Sequence, residues 1–204
     1  MIKKHTELQK KINDLDKDKI HLLFFDYSIK ENWLKKPFLL IFKLFFKIQS
    51  KPAIDHCCHI SRFIYDNETG NWFARLFEAT IHGGMEENDL FDKLKHFKGM
   101  VHIKTLGEVD KIKAKEFEKK YLGIPYSLKL AGYSGLDFGS IKFFNSVNNS
   151  DENQTGFCSW LLALFLLNQN YDLSKIESGN PLEITPTDLF LAKIGNLQLF
   201  YEGL

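Results

Sequence analysis

The sequence predicts an α+β fold in which an antiparallel sheet, or a small barrel, packs on one central helix. Three observations carry this expectation. The window 157–167 is apolar on every side, as a helix buried in the middle of a domain must be. Between 54 and 106, short alternating segments are broken by turn residues, the mark of antiparallel strands. Hydrophobic residues make up 44% of the 204-residue chain and Phe alone numbers nineteen, enough to build the core of one domain.

Residues 4–19 are charged, with Leu8, Ile12 and Leu15 at helical spacing, and predict an exposed amphipathic helix. A short strand follows at 21–26. The stretch 34–48 predicts a helix whose wide apolar face, with Leu34, Phe38, Ile41, Phe42 and Phe45, buries against a sheet. Its greasiest part is about half the ~20 residues that a bilayer span needs, and Lys43 interrupts it. Residues 1–50 therefore read as a helical extension packed on a core at 51–204, one domain in all. Whether residues 4–50 lid the site is left open.

Strands at 54–65 and 71–81, joined by Asp66-Asn67-Glu68-Thr69-Gly70, predict a hairpin that Gly83-Gly84 ends. A third strand fits 99–106, where Val101, Ile103 and Thr105 alternate with His102 and Lys104. A helix at 108–122 places Ala114, Phe117 and Tyr121 on one side and stops at Gly123 and Pro125. Residues 132–156, rich in Gly, Ser and Asn, form a long irregular loop before the apolar helix. Thr185, Pro186 and Asp188 supply the N-cap, first position and first-turn acid of another helix, and a last strand fits 197–202.

Twenty-seven Lys and Arg against twenty-six Asp and Glu leave a formal charge of +1, which offers no field for nucleic acid or anionic lipid. Three cysteines, two of them adjacent, suggest no disulfide framework. A reducing, cytoplasmic setting fits them. The basic N-terminus lacks the apolar segment and cleavage site of a secretory signal.

Chemistry centres on Cys158. At a helix N-terminus a thiol meets the positive end of the macrodipole and unpaired N–H groups, which favour the thiolate and can serve an oxyanion. A bare cysteine in an apolar helix is more often packing. Its base would come from Ile54-Asp55-His56-Cys57-Cys58-His59-Ile60. Residues three apart on a strand face opposite ways, so one histidine at most meets the thiol. His56 shares a face with Ile54, Cys58 and Ile60, the apolar side assigned to the central helix, whereas His59 goes with Asp55, Cys57 and Ser61. His56 is therefore the candidate base. A metal site is disfavoured, because adjacent strand residues diverge and no second ligand pair follows at zinc spacing. No cofactor is expected. Glu78 lies in register with Trp72, Ala74 and Leu76 on an apolar face, where a carboxylate needs a partner. It could orient His56, with His82 as the weaker alternative.

These segments resemble the YiiX-type branch of the NlpC-like cysteine hydrolases, whose papain-like core is circularly permuted. The likeness is carried by Asp55-His56, Phe77-Glu78-Ala79, Gly123-Ile124-Pro125-Tyr126, Gly156-Phe157-Cys158-Ser159 and residues 182–189. It implies a catalytic Cys158, His56 and Glu78, with Tyr126 lining the substrate site. It also implies an acyl-enzyme route to hydrolysis of an amide or ester, in a peptide, a cell-wall fragment or a lipid-linked acyl group. Asp55 before the histidine and Trp160 after Ser159 depart from the pattern, which bears on substrate. A lipid acyltransferase or thioesterase of the same fold, and a non-catalytic binding module, are the alternatives.

Overall fold

The computed structural model describes residues 2–26, 54–95, 97–127, 156–176, 181 and 184–203. The helix expected at 34–48, and the loop expected at 132–156 apart from Gly156, lie outside the described residues. In chain order the described elements are α1 (Ile2–Asp14), β1 (Lys19–Asp26), β2 (His56–Asp66), β3 (Asn71–Thr80) and β4 (Gly84–Asp89). They continue with α2 (Leu90–Lys95), β5 (Met100–Glu108), α3 (Lys111–Tyr121), α4 (Cys158–Asn168), α5 (Pro186–Leu191) and β6 (Asn196–Glu202).

The strands form one six-stranded antiparallel sheet in the order β4-β3-β2-β1-β5-β6, open rather than closed into a barrel. β1 lies inside this sheet, between β2 and β5, with its residues 20–26 buried. The core thus begins within the first 26 residues, and the segment expected as an extension contributes a central strand to it. Strand β4, whose sequence Gly84-Met85-Glu86-Glu87-Asn88-Asp89 carries little strand signal, and the short helix α2 after it are additions to the elements the sequence predicts.

Helices cover both faces. On one, α4 buries Trp160, Leu161, Leu162, Phe165 and Leu166 in a cluster with Phe24, Cys57, Phe77 and Phe117. On the other, Leu8 and Ile12 of α1 and Leu90 and Leu94 of α2 pack against Leu23, Phe25, Cys58, Ala74 and Leu76. The side chain of Asn13 accepts from the N–H of Trp72 at 2.9 Å, and that of Gln9 donates to its carbonyl at 2.7 Å, tying α1 to β3.

Local chemistry fixes the helix ends as the sequence indicates. Asp110 caps α3, and Thr185 with Asp188 closes a reciprocal capping box on α5 around Pro186. The far end of α5 is held differently. Lys104, 2% exposed, extends its ammonium to the carbonyls of Leu189, Phe190 and Ala192 at 2.9, 2.8 and 2.7 Å. In the alternation of β5 Lys104 stands opposite Val101, Ile103 and Thr105. The structure buries it, because carbonyls at a helix C-terminus satisfy the charge. No helix among the described residues is long and apolar enough to cross a membrane.

Candidate active site

Cys158 is the first residue of α4, after Phe157 in an extended N-cap conformation. Phe157 offers no capping side chain, so the first-turn N–H groups are left to other acceptors. The approach to this helix end is braced. Gly156 donates to the Pro125 carbonyl at 3.1 Å and accepts from the N–H of Ser127 at 2.7 Å. A side chain at position 156 would collide with the Trp160 ring and the Met85 methyl, so glycine is what lets the strand-like 125–127 segment lie against the start of α4.

His56 is the first residue of β2, and its Nε2–H donates to Glu78 Oε2 at 2.6 Å. Its ring also lies near the Cys158 thiol, close enough for each to favour the other's charged form. With Nε2 engaged by the carboxylate, Nδ1 is the nitrogen left for the sulfur. Glu78 is fully buried, yet both of its carboxylate oxygens have donors. The Lys93 ammonium donates to Oε2 alongside His56, and Asn88 Nδ2 donates to Oε1 at 3.0 Å. His82, the alternative orienter, is exposed in the turn after β3.

The structure thus brings together Cys158, His56 and Glu78, but the face assignment used to select His56 is reversed. Cys57 and His59 lie on the α4 side; the His59 ring stacks on Phe165 with centroids 3.7 Å apart. Cys58 and Ile60 lie on the α1 and α2 side, as do Glu78's neighbours Ala74 and Leu76. Both faces of the sheet are apolar and covered, so alternation had no polar face from which to choose. His56 reaches the sulfur because it begins its strand, at the sheet end where α4 also begins.

Cys57 is the residue that sequence reasoning placed elsewhere, with His59 and away from the thiol. Its side chain and its backbone N–H both lie near the Cys158 sulfur, where they favour the thiolate. Strand alternation alone gave no signal for this contact.

Electrostatics follow from these partners. The hydrogen bond from Cys57 is the strongest influence on Cys158; burial opposes it, and the hydrogen bond and positive charge of His56 help hold the thiol well below its ordinary range. Burial disfavours a charged His56, but its hydrogen bonds to Cys158 and Glu78, and their negative charges, raise the imidazole to about 9. Burial likewise disfavours ionised Glu78, while His56 and then Lys93 bring it down to about 2. Burial and the Cys158 charge push the Tyr126 phenol up, so it stays protonated and donates toward the sulfur. Burial first, then for Cys57 its hydrogen bond to Cys158 and for Cys58 the charge of Glu78, push both thiols up. The shifts of Cys158, His56 and Glu78 all favour the charged forms, so that negative, positive and negative groups alternate from the thiol through the imidazole to the carboxylate.

His56, Cys58 and Glu78 also bring one donor atom each within 4.8 Å of one another, a set that zinc could use. The carboxylate oxygen Oε2 is already bound by Lys93 and by His56 Nε2. The site therefore fits an internal charge chain better than a metal. Searches against protein-family models, characterised proteins and solved structures found no match, so the reading rests on this geometry.

Proposed function

We propose that the protein is a cysteine-dependent hydrolase acting on an amide or ester through an acyl-enzyme, on a permuted papain-like core. The observation that carries this reading is one chain of contacts: a thiol at a helix N-terminus, an imidazole on that thiol, and a buried carboxylate 2.6 Å from the imidazole's other nitrogen.

The Cys158 thiolate attacks the carbonyl carbon, forming a C–S bond while the π pair moves to oxygen. The N–H of Cys158 at the uncapped start of α4, with the Tyr126 hydroxyl, faces that developing charge. As the oxyanion collapses, the His56 imidazolium gives its proton to the departing amine or alcohol. Neutral His56 then takes a proton from water, whose oxygen attacks the thioester and releases the acid and the Cys158 thiolate. Glu78 keeps the imidazole in one tautomer and orientation throughout.

The test is to capture the intermediate. Incubation with activated acyl esters and with short peptide substrates, followed by rapid acid quench and mass spectrometry, is expected to show an acyl adduct on Cys158 that hydroxylamine removes. Cys158→Ala should show none. Absence of an adduct on Cys158 across both substrate classes counts against the reading.

A further inference from the structure

Lys93 is the group of the site that a Cys-His-carboxylate mechanism leaves without work. It sits on α2, a six-residue helix, and donates to the same oxygen of Glu78 that accepts from His56. Its ammonium lies 5.0 Å from the centre of the Phe25 ring, and that ring is 5.6 Å from the ring of His56. Phe25 is fully buried, so an apolar ring touches both cations. Asn88, on β4, holds the other carboxylate oxygen. Glu78 is thereby fixed at both oxygens and has two cationic partners on one of them.

That arrangement has a chemical consequence. A buried carboxylate devoted to a single imidazolium makes that imidazolium a very weak acid. A general acid must surrender its proton near working pH, so too strong a hold slows departure of the leaving group. A second cation on the shared oxygen draws off part of the carboxylate's field and adds repulsion of like sign.

We propose that Lys93 is a positioning residue that acts through Glu78: by sharing one carboxylate oxygen with His56, it keeps the imidazolium acidic enough to return its proton to the leaving group. This rests on the Cys158–His56 pairing proposed above. The other groups around this centre are Cys57 and Cys58 beside His56 on β2, Cys158 on α4, the Tyr126 phenol, and Glu86, which pairs with Glu78 on β4 and accepts from Thr80 at 2.5 Å. Among the described residues, Lys93 is the cation that shares the carboxylate with His56.

The experiment is an NMR titration of the His56 ring in the full chain, as wild type, Lys93→Met and Lys93→Arg. Wild type is expected to titrate near 9. Lys93→Met should move the midpoint upward by about one pH unit, as removal of a nearby like charge requires. Lys93→Arg should restore it. Lys93→Gln, which keeps a donor for Oε2 without the charge, serves if Lys93→Met does not fold. A residue that only braces α2 would change the melting temperature and leave the midpoint in place, and that result overturns the proposal. A wild-type midpoint near 6.5 would instead show that the Cys158–His56 pairing itself fails.

Discussion

Replacing Glu78 by Gln removes the charge that holds His56 while keeping an oxygen of similar reach. In the folded protein the imidazole is raised from 6.5 to about 9 despite its burial, which corresponds to roughly 3 kcal/mol favouring the imidazolium. Cys158 and Glu78 supply that preference together. A carboxylate in direct contact with a titrating partner typically accounts for about 1–3 pH units. The substitution also leaves the Lys93 ammonium facing the imidazole with no intervening negative charge, which acts in the same direction. His56 in Glu78→Gln is therefore expected to titrate near 7, about two units lower, read by NMR of its ring carbons. Removing one partner of a buried ion pair also costs about 3–5 kcal/mol in stability. If the single variant unfolds, Glu78→Gln combined with Lys93→Met removes the unmatched ammonium as well; the His56 midpoint should then still fall, but by less, because Lys93 no longer repels the imidazolium. A His56 midpoint within about half a pH unit of wild type in a folded variant would refute the assignment of Glu78 as the orienting carboxylate.

Three further outcomes follow from the same contacts. Cys57→Ala removes a side-chain hydrogen bond to the Cys158 thiolate; since such bonds to charged groups are worth about 1.5–3 kcal/mol, the pH at which Cys158 becomes alkylated should rise by roughly one to two units, measured by mass spectrometry. Gly156→Ala forces a methyl into Trp160 and should cost about 1–3 kcal/mol in urea denaturation while slowing Cys158 alkylation, whereas an unchanged denaturation midpoint would remove Gly156 from the account. Glu78 has a lower pKa folded, about 2, than its ordinary 4.5, so the unfolded chain binds its proton first. Its contribution of roughly 3 kcal/mol is fully present above pH 4.5 and is lost as pH falls toward 2; denaturation midpoints over this window should slope less in Glu78→Gln.

The coarse fold was legible because its signals are local. Thr185, Pro186 and Asp188 mark a helix start by capping chemistry alone, and the turn Asp66–Gly70 separates two alternating runs that pair as a hairpin. The apolar window beginning at Phe157 had only one way to hide its surface. What escaped reading depends on partners distant in sequence. β4 has no hydrophobic period of its own and is a strand because β3 pairs with it. Lys104 looks like a surface residue until the α5 carbonyls, about eighty-five positions away, are brought to it.

The site divides along the same line. Cys158 was readable from its place at the head of a helix, and Glu78 from being a carboxylate in an apolar register. The face of β2 was not, because α1 and α2 cover one side and α4 the other with equally apolar surfaces. Cys57 and Lys93 left no trace in the pattern. One touches the sulfur through the end of a strand, and the other lies on a short helix that propensity does not reveal.

The central claim is that Cys158 and His56 form a thiolate–imidazolium pair. Its most direct test is the pH dependence of iodoacetamide alkylation at Cys158, read peptide by peptide so that Cys57 can stay in place beside the sulfur. The pair predicts rapid alkylation of Cys158 well below pH 8 in the wild type, with the Cys57 and Cys58 thiols unlabelled, and a clear rise in the pH at which Cys158 reacts in His56→Ala, toward but short of an ordinary thiol because Cys57 stays beside the sulfur. A wild-type profile that already follows the ordinary thiol, unchanged by His56→Ala, would contradict it.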